Sequence, residues 1–389
     1  CNSRTGLDSP MNSFSKRLAL AALILATTPA IRAAPKTGGA EFLQICETAF
    51  PRWDANRDGA LDFAEVNALV HNPQIRGTEA AAVVLIRSHL HVAEGDDATP
   101  GPLNRQQILA LAGNPAVARE FSRLERHVHT ANHQLFLPGD PKIFSIHQGR
   151  LGDCYLIAVI GSMVSRDPAA VRSMIHPLSN GGFEVEFPTG KKVVVPPLTD
   201  SELIMGANLD GDSGFWMAVL EKAYALIREE KKNKRDGATL EAEETTARDF
   251  LKGGRAPPTI EAWTGHKATR FVIPRAFKGN REKAADALDK LFIKLNSEHR
   301  LTTVGTAGKR KIRNLPKGIP HAHVFGVLMY DPEKRMVHLF NPWGNDFTPT
   351  GAPGLANGYY TRHGIFDVPL SQFVRFFQAI SYETDRPAN

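Results

Sequence analysis

The sequence predicts an α+β protein in which a helical N-terminal region precedes a larger region with a helical first half and a strand-rich second half. An apolar run after Cys154 has the composition of a buried helix, and the alternation that includes Phe183 and Val185 is typical of a strand. Glycine and proline residues between Gly253 and Gly265 mark the junction of the two halves. A chain of 389 residues is long enough for several domains.

The N-terminal segment, residues 1–34, has the pattern of a secretory signal preceded by a few upstream residues. Lys16 and Arg17 are basic, Leu18–Ala26 is apolar, and Thr28–Ala34 contains small residues and proline. The apolar part is too short to cross a bilayer. We therefore expect export to the periplasm or the extracellular space, with no stable membrane span in the mature chain.

An acidic loop, residues 54–65, has the residue spacing of a calcium site. Carboxylate, amide and carbonyl oxygens recur at alternate positions, Gly59 stands at the sharp turn, and a glutamate closes the loop. This is the EF-hand pattern, with Ca²⁺ as the predicted cofactor; a surface turn rich in acids is the alternative. The six predicted ligands are Asp54, Asn56, Asp58, Ala60, Asp62 and Glu65.

A degenerate second copy of this loop lies at Asp96–Gln107. It keeps Leu103 at the position that Leu61 has in the first copy, and EF-hand loops pair through a short strand at that position. Three of its ligand positions hold Ala98, Pro100 and Gln107. The sequence therefore predicts an EF-hand pair over residues 40–115 whose second loop packs without binding calcium.

Cys154 lies at the start of the predicted apolar helix, directly after the glycine-containing run Gln148–Asp153. The amide N–H groups of a helix start favour the thiolate, which is the nucleophilic form of cysteine. Such a nucleophile needs an imidazole to take its proton and a polar group to orient that imidazole. His321, His323 and Asn341 are candidates, and His321 follows Cys154 by 167 residues, somewhat more than the roughly 130–150 residues quoted for papain-like enzymes.

Five blocks in order resemble the calpain family of papain-fold cysteine proteases, over about residues 144–383. They are Gln148–Tyr155, Trp216–Ala225, His321–His323, Asn341–Gly344 and Gly364–Phe373. The resemblance implies a papain-like core of two subdomains: a helical one at 116–265 that carries Cys154, and a β-rich one at 266–389 that carries His321 and Asn341. In this family the active site lies in the cleft between them.

The resemblance also implies a role for each site residue. Cys154 is the expected nucleophile, His321 the general base and then acid, and Asn341 the group that orients the imidazole. Gln148 is expected to donate a side-chain N–H to the oxyanion, and Trp343 to shield the histidine–asparagine bond. His323 competes with His321, which we favour because it precedes Ala322 as in the family.

These observations predict an exported calpain-like cysteine endopeptidase that acts on proteins or peptides through a thioacyl-enzyme and is calcium-regulated. Residues 1–33 account for half of the formal charge of +6, and the +3 that remains after their removal is too small to indicate a nucleic-acid partner. The sequence does not specify an oligomeric state. Tyr155 and Pro320 depart from the family pattern, which leaves open a calcium-binding interaction protein with an inactive papain-like module. A papain-fold acyltransferase would use the same residues.

Overall fold

A computed structural model of the chain describes residues 38–92, 100–207, 214–236 and 253–387. The predicted secretory signal, residues 1–34, lies outside these residues. Within the described ranges, no helix is long and apolar enough to cross a membrane. The described residues belong to one compact unit, so the predicted domain boundaries near residues 115 and 265 stay a prediction.

The N-terminal segment is mainly helical, as the sequence predicted. Its helices pack around apolar side chains of the first helix, residues 38–53, including Cys46 and Trp53, and Phe42 contacts Phe121 with ring centroids 5.4 Å apart. The elements are α1 (Gly38–Trp53), β1 (Ala60–Leu61), α2 (Phe63–His71), α3 (Gly77–His89), β2 (His91–Val92), β3 (Pro100–Gly101), β4 (Leu103–Asn104), α4 (Arg105–Leu111) and α5 (Pro115–Thr130).

The two loop regions of this segment meet through a short antiparallel ladder. Leu61 of β1 pairs with Leu103 of β4, which is the pairing that the sequence predicted. Both side chains are buried. Asp96 and Ala98, in the degenerate second loop, lie outside the described residues.

The helical half of the core is built around α6, which is buried along almost its whole length. A small three-stranded sheet, in the order β5-β6-β7, packs beside α9. The elements are a 3₁₀ turn (Ile143–Ser145), α6 (Cys154–Arg166), α7 (Pro168–Ser173), β5 (Ile175–Pro177), β6 (Phe183–Glu186), β7 (Lys192–Val195), α8 (Asp200–Met205), α9 (Trp216–Asp236) and α10 (Ala256–Thr264).

The N-terminal segment is joined to α8 by polar contacts at the end of α2. The Thr199 hydroxyl donates to the Val70 carbonyl over 2.6 Å. His71 Nδ1 lies 2.9 Å from Glu202, a fully buried carboxylate that also pairs with Lys222 at 2.8 Å. Because these groups are largely buried, their pairing holds α2 and α8 together.

The strand-rich half is an antiparallel seven-stranded sheet in the order β12-β13-β11-β10-β9-β14-β8. One face packs on α12 and α13, and the other packs on α6 and α10. The elements are β8 (His266–Val272), α11 (Ile273–Phe277), α12 (Arg281–Ser297), β9 (Thr302–Thr306), β10 (Val324–Asp331), β11 (Met336–Phe340), β12 (Thr361–Arg362), β13 (Ile365–Pro369), α13 (Leu370–Phe376) and β14 (Phe377–Pro387).

The helix that begins at Cys154 packs unusually closely on β10, because glycine occupies both surfaces. A Cβ added at Gly326 would lie 2.5 Å from Ser162 Oγ and 3.0 Å from the Ala158 carbonyl oxygen. A Cβ at Gly161 would lie 2.5 Å from the Phe340 ring. Side chains at either position would force α6 away from the sheet, so the two glycines fix the distance between the halves.

Candidate active site

Cys154 is the first residue of α6, and its sulfur lies among backbone N–H groups. The N–H groups of Cys154, Tyr155 and Val324 all point to the sulfur, and each lowers the pKa of the thiol. Burial outweighs them and raises this pKa to about 11, with a smaller contribution from the buried Asp153. The helix start therefore stabilises a thiolate, but in the resting arrangement the thiol keeps its proton.

Gln148 is placed differently from the sequence prediction. Its side-chain Nε2 donates to the Leu151 carbonyl over 2.7 Å and to Asp153 Oδ1 over 3.0 Å. Both amide hydrogens are thus used inside the loop that precedes Cys154. In this arrangement neither is presented to an oxyanion, because a carboxamide has only two N–H donors.

Asn341 is hydrogen-bonded to His323, not to His321 as the sequence predicted. His323 Nε2 lies 2.8 Å from Asn341 Oδ1, and both side chains are almost fully buried. The amide oxygen can only accept, so the proton of the neutral imidazole resides on Nε2 and the Nδ1 lone pair is left available. Burial lowers the pKa of His323 to about 4, against the opposing effect of the Asn341 bond.

The prediction that Asn341 orients His321 is therefore wrong, and the backbone explains why. Ala322 has a φ of +49°, which turns the chain between the two histidines. His321 precedes this turn and is only partly buried, and its Nδ1 has no hydrogen-bond partner among the described residues. His323 follows the turn, immediately before β10, and its backbone N–H donates to Thr306 Oγ1 over 3.1 Å.

The register of the β10–β11 hairpin brings His323 to Asn341. Gly326 pairs with Phe340, so by extension Phe325 is opposite Asn341 and His323 is its diagonal neighbour on the same face. A register shift between Val327 and Met329 is required for this alignment, because the pairs nearer the turn are offset by one residue. His321 is two residues farther along and beyond diagonal reach.

Trp343 lies beside His323 and Asn341, whereas the sequence prediction placed it over a bond between Asn341 and His321. Its ring centroid is 5.0 Å from that of His323, and its backbone N–H donates to Asn341 Oδ1 over 3.2 Å. The indole is 46% exposed, so it covers the pair from the solvent side. Partial exclusion of water strengthens the hydrogen bond beneath it.

The turn that follows Asn341 also contacts the loop that precedes Cys154. The Gln148 backbone N–H donates to the Pro342 carbonyl over 2.8 Å. Gly344 has a φ of +65°, and a Cβ there would lie 2.4 Å from His147 Nδ1. Only glycine permits this approach, so the turn ties the asparagine side of the site to the cysteine side.

The two departures from the family pattern are accommodated by packing. The ring of Tyr155 is buried against Gly254, where no side chain would fit, and its hydroxyl accepts a hydrogen bond from Arg228. The Pro320 carbonyl accepts from Thr306 Oγ1 over 2.8 Å. Neither residue disturbs the bond between His323 and Asn341.

A cavity of about 1180 Å³ lies between the two halves and opens onto His323. The helical half contributes residues 254–257 to its wall, and β8, β9, β14 and the loop after β9 contribute the rest. Val324, whose N–H points to the Cys154 sulfur, also lines it. The cavity therefore reaches the candidate base and the residue whose N–H points to the candidate nucleophile.

The acidic loop has the predicted oxygen-rich composition, and its carboxylates are engaged by backbone N–H groups. Asp54 accepts from Asp58 and Gly59, and Glu65 accepts from Ala55, Asn56 and Asp62. Among the described residues, no three acidic, histidine or cysteine side chains converge to hold a metal ion. An all-oxygen donor set suits a hard cation such as Ca²⁺, so calcium binding stays a prediction.

Comparison with known proteins gives consistent similarities. A family model described as calpain family cysteine protease matches residues 104–352. The calpain-2 catalytic subunit of Homo sapiens is 36% identical over 275 residues, 63% of this chain and 36% of that protein. The calpain-2 catalytic subunit of Bos taurus is 33% identical over 286 residues (66% and 38%), and Calpain-A of Drosophila melanogaster is 25% identical over 253 residues (59% and 27%). The chain spans about a third of the length of these relatives.

Proposed function

Because the chain belongs to the calpain family of cysteine proteases, we propose that it is a cysteine endopeptidase with Cys154 as nucleophile and His323 as general base. One arrangement carries this proposal. Asn341 holds the His323 ring, and the next residue, Val324, directs its N–H to the Cys154 sulfur. The candidate base and nucleophile thus converge on one short stretch of backbone, although they lie far apart in the sequence.

The proposed mechanism follows from the tautomer that Asn341 enforces. With the proton on Nε2, the Nδ1 lone pair of His323 accepts the thiol proton, and the resulting thiolate attacks the carbonyl carbon of the scissile bond. The backbone N–H of Cys154 stabilises the oxyanion. The imidazolium then protonates the leaving amine, and water, deprotonated by the same ring, hydrolyses the thioester.

The resting protonation states oppose this first proton transfer. The pKa of the Cys154 thiol is raised to about 11 and that of His323 is lowered to about 4, in both cases chiefly by burial. The neutral pair is therefore the ground state. A substrate or an ion that brings polar groups into the cleft would favour the thiolate–imidazolium pair and so activate the enzyme.

The direct test is cleavage of casein and of a fluorogenic peptide by the full chain. We expect turnover by the native protein and none by Cys154→Ala. Cys46→Ala is the matched control, because it removes a buried thiol of α1 that has no proposed role. Undiminished cleavage by the Cys154→Ala protein would rule out the proposed nucleophile.

A calcium-binding protein without turnover is the second candidate, and the neutral cysteine–histidine pair and the engaged Gln148 amide favour it. Iodoacetamide distinguishes the two. An activated Cys154 reacts much faster than Cys46, whose pKa burial raises to about 12. Equal alkylation rates near neutral pH would favour the inactive module. Product analysis with an added amine distinguishes hydrolysis from acyl transfer.

We further propose that the acidic loop binds Ca²⁺ and that binding influences the cleft. Coordination would redirect the Glu65 carboxylate, which now accepts backbone N–H groups at both ends of the loop. Glu65 is also the N3 residue of the capping box that starts α2. The far end of α2 carries His71, which contacts Glu202 of α8.

The end of α8 lies against the loop that precedes Cys154, which supports this coupling. The Arg150 backbone N–H donates to the Met205 carbonyl over 2.9 Å. A shift of α2 could therefore reach the nucleophile through α8. The test compares calcium binding, followed by the fluorescence of buried Trp53, and turnover in Asp54→Ala and Glu65→Ala proteins. Calcium-stimulated turnover in variants that no longer bind calcium at this loop would make its role purely structural.

Export is proposed from residues 1–34 alone. Expression of the full chain in a bacterial host, followed by fractionation and N-terminal sequencing, tests it. Processing near Ala30–Ala34 would support export, and an unprocessed cytoplasmic product would contradict it.

A further inference from the structure

The described wall of the cavity that opens onto His323 is positively charged. Among the residues that the structure describes, the wall includes no acidic residue and five cations: Arg255, Arg270, Lys309, Arg310 and Lys311. All five side chains are exposed, and in the described part of the chain none of them forms an ion pair. The formal charge of the whole chain is only +6. The five cations therefore give the cavity wall a higher density of positive charge than the overall composition indicates.

Cations elsewhere on the described surface are commonly paired. Lys192 lies between Glu184 and Glu186 at 2.8 and 3.3 Å, and Arg335 lies 3.0 Å from Asp286. The loop after β9 differs, because its three consecutive cations, 309–311, have no acidic neighbour among the described residues of the cavity wall. A cleft lined by one sign of charge focuses its field and attracts ligands of the opposite sign.

The uncharged part of the wall suits an extended polypeptide. Thr303 lines the cavity and is almost fully buried, yet its Oγ1 has no hydrogen-bond partner in the structure. Gln378 and Ser381 add amide and hydroxyl groups on the same wall. Such groups can bind the backbone of a peptide, while the five cations at the rim can bind its side chains.

We propose that this cleft selects acidic polypeptide segments, with Lys309, Arg310 and Lys311 as the main specificity determinants. The proposal rests on the proposed peptidase function, because His323 belongs to the same cavity. A nucleic acid would satisfy the charge equally well. An acidic polypeptide is favoured because the cavity leads to a histidine poised for acyl chemistry and not to a phosphate-transfer site.

Binding is tested first, independently of catalysis, with the full chain carrying Cys154→Ala. The probes are a short fluorescein-labelled peptide rich in glutamate and its glutamine and lysine analogues, measured by fluorescence anisotropy. We expect the glutamate peptide to bind tightest and the lysine peptide weakest. The difference should shrink as salt rises to about 0.15 M, where charges more than about 8 Å apart are screened.

Replacing the three loop cations tests whether peptide binding depends on the charge in the cavity or on the charge of the whole chain. A triple variant that carries Lys309→Gln, Arg310→Gln and Lys311→Gln should bind the glutamate peptide roughly three- to thirtyfold more weakly at low salt. This range follows from the usual strength of exposed charge pairs. The matched control is Arg281→Gln, Lys283→Gln and Lys290→Gln on α12, which removes the same charge from exposed residues outside the cavity. Equal weakening by both triple variants would overturn the proposal.

Three further outcomes are decisive. Tighter binding of a single-stranded oligonucleotide than of a glutamate peptide with the same charge would overturn the proposal in favour of a nucleic-acid cleft. If the unsubstituted chain cleaves peptides but cleaves glutamate-flanked and lysine-flanked versions equally, the inferred selectivity fails while the peptidase function stands. If it binds the glutamate peptide selectively but cleaves nothing, the peptidase function fails and the acidic-ligand cleft stands.

Discussion

The helical half and the strand-rich half hold their candidate catalytic groups by different means. Cys154 is positioned locally, because it is the first residue of α6 and its sulfur faces the N–H groups of that helix start. His323 is positioned by its partners: Asn341 across a hairpin, Trp343 beside it and Thr306 on β9. A local arrangement tolerates changes elsewhere, whereas an arrangement set by strand register depends on the whole sheet.

The largest effect should distinguish the two histidines of the strand-rich half. His323→Ala is expected to lower kcat/KM by about a hundred- to ten-thousandfold, the usual contribution of a general base. His321→Ala is the matched control and should change kcat/KM only slightly, because His321 does not contact Asn341. The measurement is peptide turnover by both purified variants. A reversed ranking would show that the hairpin is aligned differently in the active enzyme.

The second largest effect is the contribution of His323 to the pH dependence of the protein's stability. The pKa of His323 is lowered from its ordinary value to about 4 by burial, so between about pH 6.5 and pH 4 only the unfolded chain takes up this proton. The free energy of unfolding should therefore fall as the pH drops, by about 2 kcal/mol at pH 5 and by about 3 kcal/mol in full. Above about pH 6.5 His323 is neutral in both the folded and the unfolded chain, so it no longer makes the free energy of unfolding depend on pH.

Urea unfolding near pH 7 and near pH 5 measures this loss, with His323→Gln as the comparison. Glutamine does not titrate, so the variant should lose less stability between the two pH values than the native chain does. Parallel losses in both proteins would show that His323 is not buried in its neutral form.

A smaller effect tests the contact that joins the two halves. Gly326→Ala should destabilise the protein by about 1–3 kcal/mol, because its Cβ would press against α6. Gly308→Ala is the control, since a Cβ there meets nothing within 4 Å. Chemical unfolding measures both variants. Equal stability of the two would mean that α6 can move away from β10 without cost.

The smallest effect concerns the orienting amide. Asn341→Ala removes the hydrogen bond to His323, worth roughly 1 kcal/mol, together with the bond from the Trp343 N–H, and should lower kcat/KM about five- to tenfold. Because the bond to His323 raises the pKa of that histidine, its loss should lower this pKa further, which an NMR titration of the ring detects. An unchanged pKa would mean that Asn341 only fills space. The variant Asn341→Gln tests whether any amide side chain is enough to keep the pKa of His323 at its native value.

The sequence predicts the locally determined features well. The apolar helix after Cys154, the strands at 183–186 and 336–340 and the pairing of Leu61 with Leu103 all lie close to their predicted places. Each depends on a short pattern, either a helix start or an alternation of apolar residues. The family to which the chain belongs is likewise recognisable from five short blocks.

Features that depend on strand register or on contacts between distant segments could not be predicted from short sequence patterns. His321 and His323 have the same parity along a strand, so alternation cannot separate them, and the shift between Val327 and Met329 that aligns His323 is not visible in the sequence. The Gln148 amide is diverted by Asp153, a contact within a loop. The run of cations at 309–311 is visible in the sequence, but only the fold places it on the cleft.

The register shift in the β10–β11 hairpin has a practical consequence. The tip of this hairpin, around Glu333, is exposed and lies beyond the shift, whereas His323 lies before it. The exposed turn residues therefore lie outside the part of the ladder that aligns His323 with Asn341. An epitope or a fluorophore inserted between Glu333 and Lys334 would report on this half without altering its chemistry.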